Sequence, residues 1–345
     1  MHRVFPNPRS LRTVTSRSGA VPLASVQDFV SDSADGSGQP VSFDRPSFDR
    51  RRLLLSGIGG LGLVTAAALS SACSSGATDT TSNGVNPGPK ETLTALFPRN
   101  IAYLASGVPS RLVYTLTDAE GVPAFELPEP MTFSVERDGV SLGDPVKVAP
   151  RSDGVPRPYL PFYFTFPAPG LYDIFATRGS TRLNSQVIVS PASAVESPQV
   201  NSVLPPANTP TTTMSFDVDP ICTRVPRCPF HEFDLPSALG TGRPIVVLLA
   251  TPAYCQTAAC GPILDLLVEE AASLAENVIV IHSEVYQNPK AVRELSQAAL
   301  APLPLAYKMG FEPSLFVTNS ANVIQIRGDI AIDRGEMAQM LALAK

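Results

Sequence analysis

The chain has 345 residues, enough for about two domains, and 35 of them are proline, roughly twice the usual share. It has no Trp and a formal charge of −5, but residues 1–52 hold eight Arg, no Lys and five Asp, which leaves 18 basic and 26 acidic side chains for the rest. An acidic bulk argues against nucleic acid as a partner, and the proline content points to linkers and loop-rich β structure in place of a helical bundle.

Residues 1–47 contain Arg, Ser and Pro without periodicity, and we assign them no fold. The next stretch, FDRRRLLLSGIGGLGLVTAAALSSACSSG at 48–76, has three parts: the basic cluster Arg50–Arg52, an uncharged and mildly apolar run from Leu53 to Ala72, and a small-residue segment ending in Cys73. About twenty apolar residues could span a bilayer, so one reading is an uncleaved anchor helix. The small residues before a lone Cys, and the SSGATDTTSNG tract after it, resemble a bacterial lipoprotein signal. The arginines followed by Leu-Leu resemble a twin-arginine export signal. The match has departures: Ser70 stands where such signals carry leucine, and Asp49 precedes the arginines. That resemblance implies a signal at about 48–72, a lipid on Cys73, and a cell-envelope protein on the outer face of the cytoplasmic membrane. Either reading puts the residues after 76 outside the cell.

Residues 77–90 are rich in Thr, Ser, Gly and Pro and read as a flexible tether. From 91 to 190, seven short runs rich in β-branched and aromatic residues recur between turn signals. They are TLTALF (92–97), RLVYTLT (111–117), MTFSVERDG (131–139), PVKVAP (145–150), YLPFYFTF (159–166), GLYDIFATRG (170–179) and RLNSQVIVS (182–190). No helical stretch separates them, so the expectation is an all-β antiparallel sandwich. PAPGLYDI resembles the tyrosine corner of immunoglobulin-like domains, with Tyr172 as its tyrosine. The domain holds no cysteine and no cluster of His, Asp or Glu suited to chemistry, so its expected role is scaffold.

Residues 191–220 carry six prolines and read as a semi-rigid linker whose end could already lie on the next domain. In 221–345 the texture changes. RPIVVLLA (243–250) is a continuous apolar run, as expected of a strand covered on both faces. PILDLLVEEAASLAEN (262–277) places Ile263, Leu266, Leu267, Ala271 and Leu274 at helical spacing, with Glu269, Glu270 and Glu276 reading as a solvated face. NVIVIHSEVY (277–286) is a second strand, PKAVRELSQAAL (289–300) a predicted helix, EPSLFVTN and NVIQIRGDI a hairpin turning at Ser320-Ala321, and IDRGEMAQMLALAK a closing helix. The order is β-α-β-α-β-β-α.

That order, with Cys255 and Cys260 after the first strand, resembles the α/β thioredoxin-like fold over about 221–345. The expected architecture is therefore two domains, an N-terminal immunoglobulin-like sandwich and a C-terminal thioredoxin-like domain. The resemblance implies that Cys255 is the nucleophile, that Pro262-Ile263-Leu264 matches the kinked first helix, that Gly328 fits the strand after the hairpin, and that Pro313 is the cis-proline facing the cysteines. Departures are plain: four residues separate the cysteines where the family has two, Tyr254 replaces the usual Trp, and Ile245–Leu249 lacks the buried acid often found on the first strand. The spacing is closer to that of the peroxiredoxin Q group, but Thr251 and Leu248 do not match its Thr and Pro positions, so no peroxidase is expected. The overall impression resembles envelope lipoproteins of the actinobacterial type.

Setting Cys73 aside leaves Cys222, Cys228, Cys255 and Cys260, an even number that in an exported chain favours disulfides. Three pairings are possible, and the local one, 222–228 with 255–260, is the default because small loops close readily. In a regular helix five residues rise about 7.5 Å, beyond disulfide reach. Cys255 and Cys260 can therefore bond only if Cys255 precedes the first turn, and Thr257 with Gln256 suggests a helix start near 256–257. A helix start also lowers a thiol's pKa, which favours Cys255 as nucleophile and Cys260 as resolving partner. Cys222 and Cys228, flanking TRVPR, read as a structural staple or as an electron relay. His231 and His282 raise the question of metal, since copper carriers of the thioredoxin fold pair two helix-start thiols with a distant His. Neither His matches that position, and no metal or other cofactor is expected.

The functional expectation is a cell-envelope thiol–disulfide oxidoreductase whose partners are exported proteins with thiols or disulfides. The alternative is a non-catalytic thioredoxin-fold module for binding or assembly with structural disulfides, and a lesser one is a copper carrier.

Overall fold

The computed structural model describes residues 91–345 apart from positions 128 and 256. The expected leader and signal (1–76), the tether (77–90) and Cys73 lie outside the described residues.

The first half is a β-sandwich. Its strands are β1 (Thr92–Ala95), β2 (Leu104–Ala105), β3 (Pro109–Thr117), β4 (Met131–Arg137), β5 (Val140–Val148), β6 (Leu160–Thr165), β7 (Gly170–Arg178) and β8 (Thr181–Ser190). One sheet has the order β1-β3-β6 and the other β2-β8-β7-β4-β5. Alternation drives the burial: in β8 every second side chain from Leu183 to Val189 is buried and the intervening ones are exposed. Between the sheets lies an aromatic core in which Phe133, Phe162, Phe164, Phe166 and Tyr172 follow one another at ring separations of 4.9–6.0 Å. Tyr172 is fully buried and its hydroxyl donates to the Ala168 carbonyl at 2.6 Å, the bond of a tyrosine corner. The short β2 is the strand that the sequence pattern does not reveal.

The second half has strands β9 (Ile245–Leu249), β10 (Ile279–Ser283), β11 (Ser314–Thr318) and β12 (Ile324–Asp329) in the order β10-β9-β11-β12. β10 runs parallel to β9, whereas β11 runs antiparallel to β9 and to β12. The helices are α1 (Leu235–Ala238), α2 (Cys260–Glu270), α3 (Pro302–Ala306) and α4 (Arg334–Leu341). Successive β9 residues serve opposite cores. Val246 and Leu248 pack with α2 and α4, and Ile245, Val247 and Leu249 pack with α1 and α3, which is why this strand is apolar throughout.

Two expectations are corrected here. The helix predicted over 289–300 is two short 3-10 turns, Pro289–Ala291 and Leu295–Gln297, and the regular turn comes later, in α3. Over 289–300 only Pro289 is buried, and Val292, Leu295, Ala298 and Leu300 are no more than half-buried, so this segment lacks the packed apolar face that would fix a helix. The 191–220 segment is less a linker than a strap: Asn201, Leu204 and Ile324 exchange backbone hydrogen bonds across the free edge of β12, through Asn201 N–H to Ile324 O, Leu204 N–H to Asn322 O and Ile324 N–H to Ser202 O.

The sandwich and the α/β half are joined by a buried polar network. Arg111 of β3 donates to both carboxylate oxygens of Glu336 on α4, and to the carbonyls of Asp329 and Ala331. Tyr159 and Tyr163 donate to the same carboxylate at 2.5 and 2.6 Å, and Tyr159 accepts from the Asp333 amide. Burial opposes ionisation of Glu336, but Arg111, with help from Arg151 and the Tyr159 hydroxyl, outweighs it and holds the carboxyl below its usual range. Tyr103 adds a hydrogen bond to Asp329 at 2.7 Å.

Candidate functional site

Cys255 and Cys260 meet as a disulfide with a Cα–Cα distance of 5.9 Å. The local chain explains how. A 3-10 turn over Pro252–Tyr254 ends at Cys255, which is extended, and α2 does not begin until Cys260 itself. The helix start expected near 256–257 is thus three to four residues early. The intervening loop reverses direction at Ala258, whose φ of +56° lies in the left-handed region. That reversal brings the sulfurs together across a spacing that a helix would hold apart.

The two sulfurs are not equivalent. Cys260 is fully buried, whereas Cys255 is partly exposed and its sulfur accepts the Cys260 backbone N–H at 3.3 Å, at the N-terminus of α2. Negative charge on Cys255 would therefore sit at the positive end of an 11-residue helix.

Behind the pair lies an acid. Glu312 sits just before β11, and its Oε2 lies 3.2 Å from Cys260 Sγ while accepting the Thr251 N–H at 2.7 Å. Its Oε1 meets no hydrogen-bond partner among the described residues. Burial pushes the carboxyl up to about 8, opposed by the Thr251 hydrogen bond and assisted by nearby Glu284. The peptide between Glu312 and Pro313 is cis, as expected of Pro313. Beside the pair, an apolar cleft lies between Thr257 and Ala259 on one wall and Leu96, Val155 and Pro156 of the sandwich half on the other.

Cys222 and Cys228 are not the expected staple: they are two buried thiols, 3.8 Å apart and unbonded. They gather with His231 and His282, so that one ligand-type atom from each of the four lies within 4.8 Å of every other. The hydrogen bond from the neighbouring thiol pulls the Cys222 thiol down, helped by both imidazoles. Burial opposes charge on His282, but the Cys222 contact and Glu284 raise its pKa. Glu284 also anchors this loop, accepting from the Thr223 amide and hydroxyl.

No protein-family model matches the chain, and no curated protein matches it. Among solved structures, a tandem pair of titin Ig domains is similar to it at 12% identity and a TM-score of 0.19, covering 30% of this chain and 49% of that one, so the match spans about half of that protein. A titin–obscurin-like 1 Ig complex is similar at 18% identity over 29% of this chain and 93% of its own, with a TM-score of 0.18. The C-terminal domain of ZirS is similar at 14% identity over 42% of this chain and 99% of its own, with a TM-score of 0.19. The sandwich assignment rests on the sheets described above.

Of the residues singled out in the sequence, Cys255, Cys260 and the residue before Pro313 come together at one site. Glu312 is not legible as the acid of this site in the sequence, because it lies 52 residues from Cys260 and the first strand, where such an acid is expected, carries none. The four-residue Cys/His cluster was missed as a unit because His282 reaches it from another strand, 54 residues beyond Cys228.

Proposed function

We propose that the C-terminal half is a thioredoxin-like domain and that the protein is a dithiol–disulfide oxidoreductase working through Cys255 and Cys260. The observation that carries this reading is the asymmetry of the pair: a partly exposed cysteine on a helix N-terminus, bonded to a buried one whose sulfur touches a carboxyl that burial pushes up to about 8. The strand order and directions and the cysteines after the first strand support it as well.

The chemistry follows from that asymmetry. A partner's thiolate attacks Sγ of Cys255, the less buried of the two cysteines, and the Cys255–Cys260 bond breaks. Cys260 leaves with the electron pair and takes the proton of Glu312. The partner's second thiolate then attacks its own sulfur in the mixed disulfide and expels Cys255 as a thiolate held by the Cys260 N–H. The partner dithiol becomes a disulfide and gives up two protons: one restores Glu312, and the other goes to the Cys255 thiolate, which completes the dithiol, or to solvent while Cys255 stays ionised. In reverse, ionised Glu312 takes the Cys260 proton as that thiol closes the ring.

The reading places the protein in the cell envelope, lipid-anchored through Cys73 after export, where its partners are exported proteins with thiols or disulfides. Among the described residues no helix is long and apolar enough to cross a membrane.

The test is a Cys260→Ser variant incubated with a dithiol peptide that has been oxidised. A mixed disulfide on Cys255 is expected, and its absence, with a wild-type potential below about −300 mV, would mark a structural bond and leave the non-catalytic module as the better reading.

A further inference from the structure

The Cys222/Cys228/His231/His282 cluster takes no part in the thiol chemistry above. Its loop is fixed from two sides: Thr223 is tied to Glu284, and the Thr223 hydroxyl accepts the Ala253 N–H. His282 is delivered by β10, and all four side chains are buried.

The distances carry a specific message. Zinc bonds of about 2.3 Å to sulfur and about 2.05 Å to nitrogen, at tetrahedral angles, put two sulfurs about 3.8 Å apart, two nitrogens about 3.35 Å apart, and a sulfur and a nitrogen about 3.6 Å apart. Here the sulfurs are 3.8 Å apart, the inward ring nitrogens of His231 and His282 are 3.3 Å apart, and Cys228 Sγ lies 3.3 and 3.4 Å from them. The outward nitrogens settle the tautomers. His231 Nδ1 faces the Pro210 carbonyl at 3.2 Å and His282 Nε2 faces the Ala250 carbonyl at 2.9 Å. A carbonyl only accepts, so both outward nitrogens carry the proton and both inward nitrogens present lone pairs, the arrangement of metal-bound imidazoles.

A disulfide between the two cysteines would remove the thiol protons and leave two buried acceptors facing each other with no donor. A cation satisfies all four atoms at once. Two thiols and two imidazoles with no oxygen ligand select a soft or borderline ion over calcium or magnesium. We propose that Cys222, Cys228, His231 and His282 form a closed tetrahedral Zn²⁺ site that clamps the 222–231 loop onto the end of the sheet. With four protein ligands and no exposed position, the ion is structural.

The experiment uses the full chain, reduced, exposed to Zn²⁺ alone and desalted. The expected result is one zinc retained per chain, with Cys222 and Cys228 protected from alkylation and at least tenfold more reactive after chelation. Co²⁺ in place of zinc should give a thiolate charge-transfer band. A Cys255→Ser/Cys260→Ser variant should keep the full stoichiometry, and Cys228→Ser should lose it. Should Cys228→Ser fail to fold, the alkylation contrast in the unaltered chain decides. Less than a tenth of an equivalent of zinc, a 222–228 disulfide mapped in zinc-treated protein, or retention of copper(I) with zinc excluded would each overturn the proposal.

Discussion

Glu312→Gln separates the acid's chemical role from its structural cost. The carboxyl is buried against Cys260 and held near 8, well above its ordinary 4.5. At pH 7 roughly nine tenths of it is protonated and able to supply the proton that Cys260 needs as it leaves. The amide has the same shape and cannot do so. Opening of the disulfide by an added thiol should slow by about 100-fold, the low end for general acid catalysis. The pH profile is the sharper readout. With the rate divided by the attacker's thiolate concentration, the unaltered protein should lose its advantage as pH rises through 8, whereas the Gln variant should stay flat. Stability should move the other way. Because the folded-state pKa is raised, the carboxyl's contribution is fully present below 4.5 and lost as pH rises through 8. The slope is about 1.4 kcal/mol per pH unit, so Gln at this position should stabilise the fold by on the order of 3–5 kcal/mol at pH 8 and leave it nearly unchanged near pH 4. Stopped-flow kinetics and urea melts at several pH values measure both. A variant whose rate stays within twofold, with an unaltered profile, would refute the role given to Glu312.

Arg111→Met should strand the Glu336 carboxylate in the buried interface between the halves, costing about 3–5 kcal/mol in urea denaturation, and a loss under about 1 kcal/mol would show that the two tyrosines suffice. Ala258→Gly should relieve the left-handed conformation in the disulfide loop and raise the stability of the oxidised protein by about 1 kcal/mol, read as a higher denaturation midpoint. Gly328→Ala should cost about 1–3 kcal/mol, because its Cβ would fall 2.8 Å from Ile332 Cδ1 and 2.9 Å from Met340 Sδ. A neutral result in the same melts would mean that α4 shifts freely.

The local patterns in the sequence carried far. Alternation in MTFSVER and RLNSQVIVS marks sandwich strands, because one face of each is buried. The unbroken IVVLL run marks a strand covered twice, and the packing bears that out. Tyr172 was legible as a corner tyrosine because its partner is only four residues away. The helix expected over 289–300 does not form, because spacing alone cannot report whether a partner face exists. In the same way the cysteine count favoured two disulfides, but count and spacing say nothing of what else surrounds a sulfur.

What the sequence determined by itself, then, is what depends on neighbours within a few residues: strand periodicity, turn chemistry, and the requirement that Cys255 precede the helix if it is to reach Cys260. The tertiary structure decided the rest. It set Glu312 against Cys260, His282 against Cys228, and Arg111 against Glu336, pairs separated by 52, 54 and 225 residues. Such contacts are created by sheet order and helix packing, so no local pattern encodes them, and at each of them burial turns an ordinary polar side chain into one whose charge must be shared, neutralised or bound to a cation.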